Sequence, residues 1–343
     1  DNHFFENQGG KRFVEKTASY FPKTSWGAMG VKFFDFNQDG QLDLFVTDMH
    51  SDMTTLQTTI SLRDFSQTFE KHKSESWCGA ENGDSYYQGM SNNVFGNAFY
   101  LNRGHGQFEE VSDKIGAETF WPWGVSVGDL NADGYEDAFV SAGMGHTFRY
   151  GINSVLLNEN GERFFDSEFL LGVEPRESRK TTKLAFVLDA SGADKDHPLA
   201  RGKSGMVPVD ETLSTRSAVL FDADNDGDLD IFTNEMDDRP QILMSNLAQK
   251  KAIHFLKIKL VGTRSNRDGL GTLVRITAGN KTFNQYYDGK SGYLSQSSMP
   301  LYFGLGEAAK VDRIELSWPS GTKQTIEQGI PVNTLYTITE TQH

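Results

Sequence analysis

The stretch Asp222-Ala223-Asp224-Asn225-Asp226-Gly227-Asp228-Leu229-Asp230 is the most acidic of three copies of one nine-residue pattern. The other two copies are Asp35-Phe36-Asn37-Gln38-Asp39-Gly40-Gln41-Leu42-Asp43 and Asp129-Leu130-Asn131-Ala132-Asp133-Gly134-Tyr135-Glu136-Asp137. All three read D-x-[DN]-x-D-G-x-x-D. With ordinary residue frequencies such a window arises by chance about once in 10⁶ positions. Three copies therefore indicate a repeated structural unit.

Short apolar runs flank each copy of the pattern. The runs before the three copies are 31–34, 125–127 and 218–221, and the runs after them are 44–46, 138–140 and 231–232. Apolar runs of this length, separated by a Gly-containing polar turn, are typical of two strands joined by a tight loop. Each copy is therefore predicted to be a strand, an acidic turn and a second strand.

A second element recurs as a hairpin with an Asn/Gly turn, at residues 5–13, 101–108 and 157–164. The hairpin residues Asn7 and Asn102 precede the next acidic loop by 28 and 27 residues, whereas Asn158 precedes it by 64. The longer gap predicts an insert at about 175–212, and a comparable insert is predicted at about 50–97.

Two hairpins per repeat are typical of the four-stranded blades of a β-propeller. We therefore expect an all-β chain, with propeller blades over 1–250 and a small β-sandwich over 251–343. A parallel β-helix ranks below this interpretation because its repeats are shorter and more regular. Three units are too few for a ring of about 4 to 8 blades. Either the propeller is incomplete in this chain or the inserts hold degenerate blades, for which 189–196 is a candidate loop.

The acidic loops are predicted to bind about three Ca²⁺ ions, which take six to eight oxygen ligands. Side chains at positions 1, 3 and 5 of a tight turn converge, Gly at position 6 permits the bend, position 7 offers its carbonyl and Asp at position 9 completes the ligands. The predicted side-chain ligands are Asp35, Asn37, Asp39, Asp43, Asp129, Asn131, Asp133, Asp137, Asp222, Asp224, Asp226 and Asp230. The predicted carbonyl ligands belong to Gln41, Tyr135 and Asp228.

Three alternatives to a calcium loop fit the pattern less well. An EF-hand needs Glu at position 12, where the three copies have Val46, Val140 and Thr233. Magnesium demands a stricter octahedron and keeps its waters. A metal-free turn would leave several carboxylates repelling one another.

Composition narrows the choice of partners. The formal net charge of −14 disfavours nucleic-acid binding, and no apolar run approaches the ~18 residues of a membrane span. Cys78 is the single cysteine, so no intrachain disulfide is possible. Residues 1–5 do not read as a signal peptide, so an exported protein would have lost its signal or carry it upstream.

The loops resemble those of the FG-GAP/VCBS repeat family of integrin-like propellers. The C-terminal part resembles the ASPIC/UnbV domain, through the stretches 266–271, 291–297, 303–306, 311–314 and 318–321. The combination is similar to the cartilage acidic protein family. The resemblance implies a non-catalytic, calcium-binding protein that is extracellular, periplasmic or on the cell surface. Its partner would be an extracellular protein or glycan, with upstream blades or another chain completing the propeller.

An enzyme is the alternative interpretation. Residues His50, Asp48, Asp52 and His146 follow equivalent strands, and they would form a transition-metal or hydrolytic site acting on a polysaccharide or phosphoester. A solvent-exposed acidic face is the simpler interpretation of these residues. Zinc, iron or manganese beside the histidines would indicate the enzyme, and calcium confined to the acidic loops would indicate the binding module.

Overall fold

The protein is almost entirely β-structure. The computed structural model describes residues 2–21, 23–25, 27–49, 93–94, 96–143 and 150–341. Strands account for 42% of the residues and helices for 4%, in the arrangement of a β-propeller followed by a sandwich. The predicted fold class is confirmed. His50, Asp52, Cys78 and His146, and most of the insert predicted at 50–97, lie outside the described residues.

The N-terminal part contains two four-stranded antiparallel sheets that form neighbouring blades. A hairpin and two short strands accompany the first blade: β1 (Phe5–Asn7), β2 (Phe13–Glu15), β3 (Thr24–Ser25) and β6 (Asn93–Val94). The first blade consists of β4 (Ala28–Phe34), β5 (Asp43–Asp48), β7 (Ala98–Asn102) and β8 (Phe108–Glu110). The second blade consists of β9 (Pro122–Gly128), β10 (Asp137–Ala142), β11 (Ser154–Glu159) and β12 (Arg163–Asp166). The described residues of this part also form the short helices α1 (Thr17–Tyr20) and α2 (Ser112–Ile115).

Each predicted Asn/Gly hairpin forms, and two of the three complete the blade of the acidic loop that precedes them. The hairpin at Asn102 joins β7 to β8 in the sheet of the first loop, and the hairpin at Asn158 joins β11 to β12 in the sheet of the second loop. The repeating unit is thus a loop followed by a hairpin. The gap of 64 residues between Asn158 and Asp222 therefore lies between two blades.

A third sheet continues the row of blades. It consists of β15 (Thr215–Phe221), β16 (Asp230–Glu235) and β17 (Ile242–Leu243), and it carries the third acidic loop. Strand β9 lies between β4 and β15, so these three are the adjacent inner strands of the blades. Buried aromatic rings fill the space between the first two blades: Phe36, Phe45, Phe99 and Phe164.

The segment between the second and third blades forms a separate two-stranded ribbon. Within the described part of the chain, strands β13 (Thr182–Asp189) and β14 (Met206–Thr212) pair with each other alone, and a 3₁₀ turn (Pro198–Ala200) lies in their connection. A small cluster of buried side chains stabilises the ribbon: Leu188, Ala190, Ala200, Val207 and Val209. The candidate degenerate loop at 189–196 begins this connection.

The C-terminal strands form a sandwich of two sheets. One sheet contains β18 (Phe255–Val261), β21 (Leu301–Gly304) and β24 (Leu335–Thr339), with β18 and β24 parallel. The other contains β19 (Leu273–Ala278), β20 (Lys281–Tyr286), β22 (Arg313–Ser317) and β23 (Lys323–Ile326). Alternate residues of both sheets point inward to one core that includes Leu256, Ile276, Ile314 and Trp318. No helix in the described ranges is long and apolar enough to cross a membrane.

Candidate metal centres

All three acidic loops occupy the same place in their sheets. Position 1 follows the last residue of an inner strand, and position 9 is the first residue of the next strand. Positions 4 and 6 have a left-handed backbone in every copy. The φ angles are 57°, 53° and 64° at Gln38, Ala132 and Asn225, and 89°, 99° and 101° at Gly40, Gly134 and Gly227. The Gly of the pattern therefore meets a real conformational requirement in each loop.

The carboxylate at position 1 folds back on its own loop. In the first loop, Oδ1 of Asp35 accepts a hydrogen bond from the N–H of Asp39 (3.1 Å), and Oδ2 accepts one from Gly40 (3.0 Å). The second loop repeats this geometry, with 3.0 Å to Oδ1 and 2.8 Å to Oδ2 of Asp129. At position 5, the carboxylates of Asp39 and Asp133 each accept a hydrogen bond from the backbone N–H of position 7 in the same loop, at 2.9 and 2.8 Å.

The carboxylate at position 9 joins the loop to its blade. One of its oxygens accepts a hydrogen bond from the N–H at position 2, as Oδ2 of Asp137 does from the N–H of Leu130 (2.7 Å). The other oxygen of Asp137 accepts from the N–H of Asn158 in the third strand (2.7 Å). The equivalent residues Asp43 and Asp230 make the same pair of bonds, with Phe36 and Asn102 and with Ala223 and Ser245. Each carboxylate oxygen has a second lone pair, so this role is compatible with the predicted metal ligation.

The third loop contains buried carboxylate oxygens that accept no hydrogen bond from any residue in the described ranges. These oxygens are Oδ1 of Asp222 and Oδ1 of Asp228. The N–H of Asp226 donates to Oδ1 of Asp224 (3.3 Å), as the position 5 N–H does to position 3 in the other loops, but it does not also donate to position 1. A buried carboxylate oxygen without a donor is costly, and a cation supplies the missing interaction. The residues of this loop therefore fit a hard divalent cation.

The third loop also brings its predicted ligands together. One carboxylate oxygen from each of Asp222, Asp224 and Asp226 lies within 4.8 Å of the others. The sequence pattern predicts only the backbone carbonyl of Asp228 as a ligand. In the structure, its carboxylate is buried and accepts a hydrogen bond from the N–H of Ala248 (2.8 Å). The signal available in the sequence was the fifth carboxylate of this loop, which the other copies lack.

Burial raises the free-energy cost of ionising the carboxylates of the first two loops. It raises the pKa of Asp35 to about 6 and the pKa of Asp43 to about 7. In the second loop, burial raises the pKa of Asp129 to about 7 and the pKa of Glu136 to about 8. A bound cation would offset this cost by favouring the ionised forms.

The enzyme site that the sequence offers as an alternative is only partly described. Asp48 is buried, and its Oδ2 accepts a hydrogen bond from the N–H of Gly27 (2.7 Å). The remaining residues of the enzyme hypothesis, His50, Asp52 and His146, lie outside the described residues.

The ring of Trp123 lies where the inner strands meet the C-terminal sandwich. The guanidinium of Arg216 covers this ring at 4.0 Å, and the ring of Tyr293 contacts it edge-on at 5.0 Å. Trp123 is therefore a packing residue between the two parts of the chain.

Two protein families match the chain. Residues 1–46 and 82–140 match the FG-GAP-like repeat, and residues 262–343 match the family described as ASPIC and UnbV. The chain therefore contains FG-GAP-like repeats and an ASPIC/UnbV domain. The first two acidic loops lie within the repeat match, and the third lies beyond it. Comparison with curated proteins finds no significant match, and the similarity to the cartilage acidic protein family stays a prediction. The two families together fit a binding module in general.

Proposed function

We propose that this protein is a secreted, calcium-binding β-propeller that acts as a binding or adhesion module for an extracellular protein or glycan. The three acidic loops would each hold one Ca²⁺, at the turn between an inner strand and its neighbour. The ions would stabilise the blades, because a ligand that binds only the folded state shifts the unfolding equilibrium.

One observation carries the calcium part of this proposal. The carboxylates of Asp222, Asp224 and Asp226 converge within 4.8 Å, and the buried Oδ1 of Asp222 has no hydrogen-bond partner among the residues that the structure describes. The ligands offered are hard oxygens, which suit Ca²⁺ rather than the softer transition metals. Because the same turn geometry recurs at Asp35 and Asp129, the first two loops would bind Ca²⁺ in the same way.

We infer an extracellular location from the proposed calcium role, because extracellular modules are one class of protein whose calcium sites fill at about 10⁻⁴–10⁻³ M. Twelve of the 47 Asp and Glu residues lie in the three loops, and three Ca²⁺ ions would change the net charge from −14 to about −8.

Calorimetric titration of calcium into the chelator-treated full chain tests the proposal. We expect about three ions to bind and the melting temperature to rise. The double variant Asp224→Asn/Asp226→Asn should lose one ion. The matched control, Asp237→Asn/Asp238→Asn, removes the same charge from an exposed pair after β16 and should bind calcium as the wild type does. Absence of calcium binding, or equal melting temperatures in calcium and in chelator, would contradict the proposal.

The ribbon β13–β14 favours a binding role. It exposes large apolar side chains, with Leu184 57%, Phe186 45% and Met206 69% accessible. Exposed apolar surface of this kind commonly marks an interaction site. We expect immobilised glycans or matrix proteins to bind the wild type in calcium, and Leu184→Asp/Met206→Asp to bind them less. Exposed Lys180→Asp is the control, and equal binding by all three proteins would exclude the ribbon as the contact surface.

A further inference from the structure

The C-terminal sandwich approaches all three acidic loops at the same atom. In the first loop, the side-chain amide of Asn284 donates a 2.8 Å hydrogen bond to Oδ2 of Asp35. In the third loop, the ammonium of Lys257 lies 2.9 Å from Oδ2 of Asp222. In the second loop, the backbone at Gly304 packs so closely that a β-carbon there would overlap Oδ2 of Asp129. The sandwich thus contacts the position 1 carboxylate of every loop.

The sandwich also brings basic side chains to all three loops. Nη2 of Arg275 would lie 3.7 Å from a β-carbon at Gly40 in the first loop. The ammonium of Lys281 lies 5.2 Å from the ring centre of Tyr135 in the second loop. With Lys257 at the third loop, Lys251 near Asp129 and Lys32 near Glu136, five basic side chains face twelve carboxylates. The basic groups alone leave most of this charge without compensation as the domains come together.

Contact with the sandwich covers Asp222 and Gly227 of the third loop, while Asp224 and Asp226 stay exposed. The hydroxyl of Tyr302 donates to the carbonyl of Gly227 (2.8 Å), and the ring of Phe255 lies against the same glycine. The side chain of Asp222 has no exposed area, and its Oδ1 meets no donor from the described part of the chain. If the sandwich moved away, water could reach this oxygen. With the sandwich in place, a bound cation is the natural partner for it.

A segment of the sandwich also runs along the inner strands of the blades. Asp288 pairs with Lys32 of β4 (2.8 Å), and the N–H of Gly292 donates to the carbonyl of Val125 in β9 (3.1 Å). A β-carbon at Gly124 would overlap the backbone nitrogen of Tyr293. We name residues 288–297 the axial segment. It includes the stretch 291–297 that carries the ASPIC/UnbV resemblance.

We propose that ion binding and seating of the C-terminal sandwich on the blades are coupled, each strengthening the other, so that loss of the ions releases the axial segment. This inference rests on the proposed calcium binding. Ions would neutralise the carboxylates that seating buries, and seating would hold Oδ2 of each position 1 aspartate in place. By linkage, the two effects are equal in size.

Hydrogen exchange of the full chain in calcium and in chelator tests the coupling, with the Gly292 amide as reporter. We expect exchange in the axial segment to accelerate at least about fivefold in chelator, while the strands 255–261 and 273–278 stay protected. The variant Gly124→Ala should show the fast exchange even in calcium and bind calcium at least about fivefold more weakly. Gly329→Ala is the control, because its new β-carbon would meet no atom within 4 Å and the residue lies in an exposed bend of the sandwich, outside the three loops and the axial segment.

Asn284→Ala provides a second variant if Gly124→Ala does not fold, and it should show the same two changes in calcium. Unchanged exchange of Gly292 in chelator, or normal calcium affinity in the seating variants, would overturn the coupling while leaving calcium binding intact. Uniform loss of protection across the sandwich in chelator would also overturn it, because selective release is predicted. Absence of calcium binding in the wild type would overturn both proposals, so the two failures are distinguishable.

Discussion

The side-chain amide of Asn158 donates a 2.9 Å hydrogen bond to the carbonyl oxygen of Phe36, which lies 122 residues earlier in the chain. Asn158 is the last but one residue of β11, just before the hairpin turn of the second blade, and Phe36 is position 2 of the acidic loop in the first blade. The same asparagine bonds to the carbonyl of Glu136 in its own blade (3.2 Å). One buried side chain thus connects two acidic loops and two blades.

Asn158→Ala should lower the free energy of unfolding by about 2 kcal/mol, because it leaves the buried carbonyl of Phe36 without a donor. The measurement is urea denaturation in excess calcium. Asn102→Ala is the matched comparison. Asn102 is half-buried and its side chain bonds within its own blade, to Leu42 (3.1 Å) and Gly104 (3.0 Å), so its loss should be smaller. Equal losses in the two variants would contradict the connecting role of Asn158.

Phe36→Ala should lower the free energy of unfolding by about 3–5 kcal/mol through loss of packing. Its ring is fully buried and lies 4.9 Å from Phe164 of the second blade and 5.1 Å from Phe99 of the first. The control is Phe165→Ala, since the ring of Phe165 is 54% exposed. That variant should stay within about 0.5 kcal/mol of the wild type. A loss below about 1 kcal/mol in Phe36→Ala would show that the blades do not depend on this aromatic contact.

The local parts of this architecture could be predicted from the sequence because they are fixed by short-range chemistry. Gly at position 6 and the strands on either side follow from backbone conformation and apolar patterning alone. The end of β4 at Phe34 and the start of β5 at Asp43 agree with the pattern. The resemblance of residues 291–297 to the ASPIC/UnbV domain could also be recognised from the sequence.

The long-range parts could not be predicted, because they depend on which faces meet. Nothing in the spacing of the repeats shows that Asn284 will contact Asp35, 249 residues away. The side-chain role of Asp228 depends on its burial and on the hydrogen bond that its carboxylate accepts from the N–H of Ala248, and the nine-residue pattern encodes neither. Likewise, the insert at 175–212 gave no sign that residues 182–212 pair as a ribbon of their own.

Arg176→Met should lower the free energy of unfolding by about 3–5 kcal/mol, because it leaves the carboxylate of Glu235 buried without its counter-charge. Arg176 donates to Glu235 at 2.7 Å, and their side chains are 4% and 0% exposed. The double variant Arg176→Met/Glu235→Gln should recover part of the loss, which a double-mutant cycle measures. Exposed Arg163→Met breaks a surface pair with Glu159 and serves as the control. It should cost less than about 1 kcal/mol. Additive losses in the cycle would contradict coupling of the buried pair.

Glu340 should stabilise the sandwich in a pH-dependent way. Burial opposes its charge, but donors from Ser265, Ser320, Thr263 and Arg264 more than offset burial, so the pKa of Glu340 lies well below its usual value of 4.5. The N–H groups of Thr263, Arg264 and Ser265 all donate to Oε2, at 2.9, 2.8 and 2.8 Å. Because the folded-state pKa is lowered, the stabilisation is present above pH 4.5 and is lost as the pH falls through the folded-state pKa.

Glu340→Gln should therefore cost about 2 kcal/mol or more at pH 7. The difference from the wild type should shrink as the pH is lowered below 4.5, where the unfolded wild-type chain takes up a proton that the variant cannot bind. Chemical denaturation of both proteins at about pH 7, 5 and 3 measures the difference. Glu307→Gln, at an exposed site, is the control for loss of charge. A difference that stays constant across this range would mean that the glutamine variant fails by shape alone, and the charged hydrogen bonds would then have no part in holding the sandwich together.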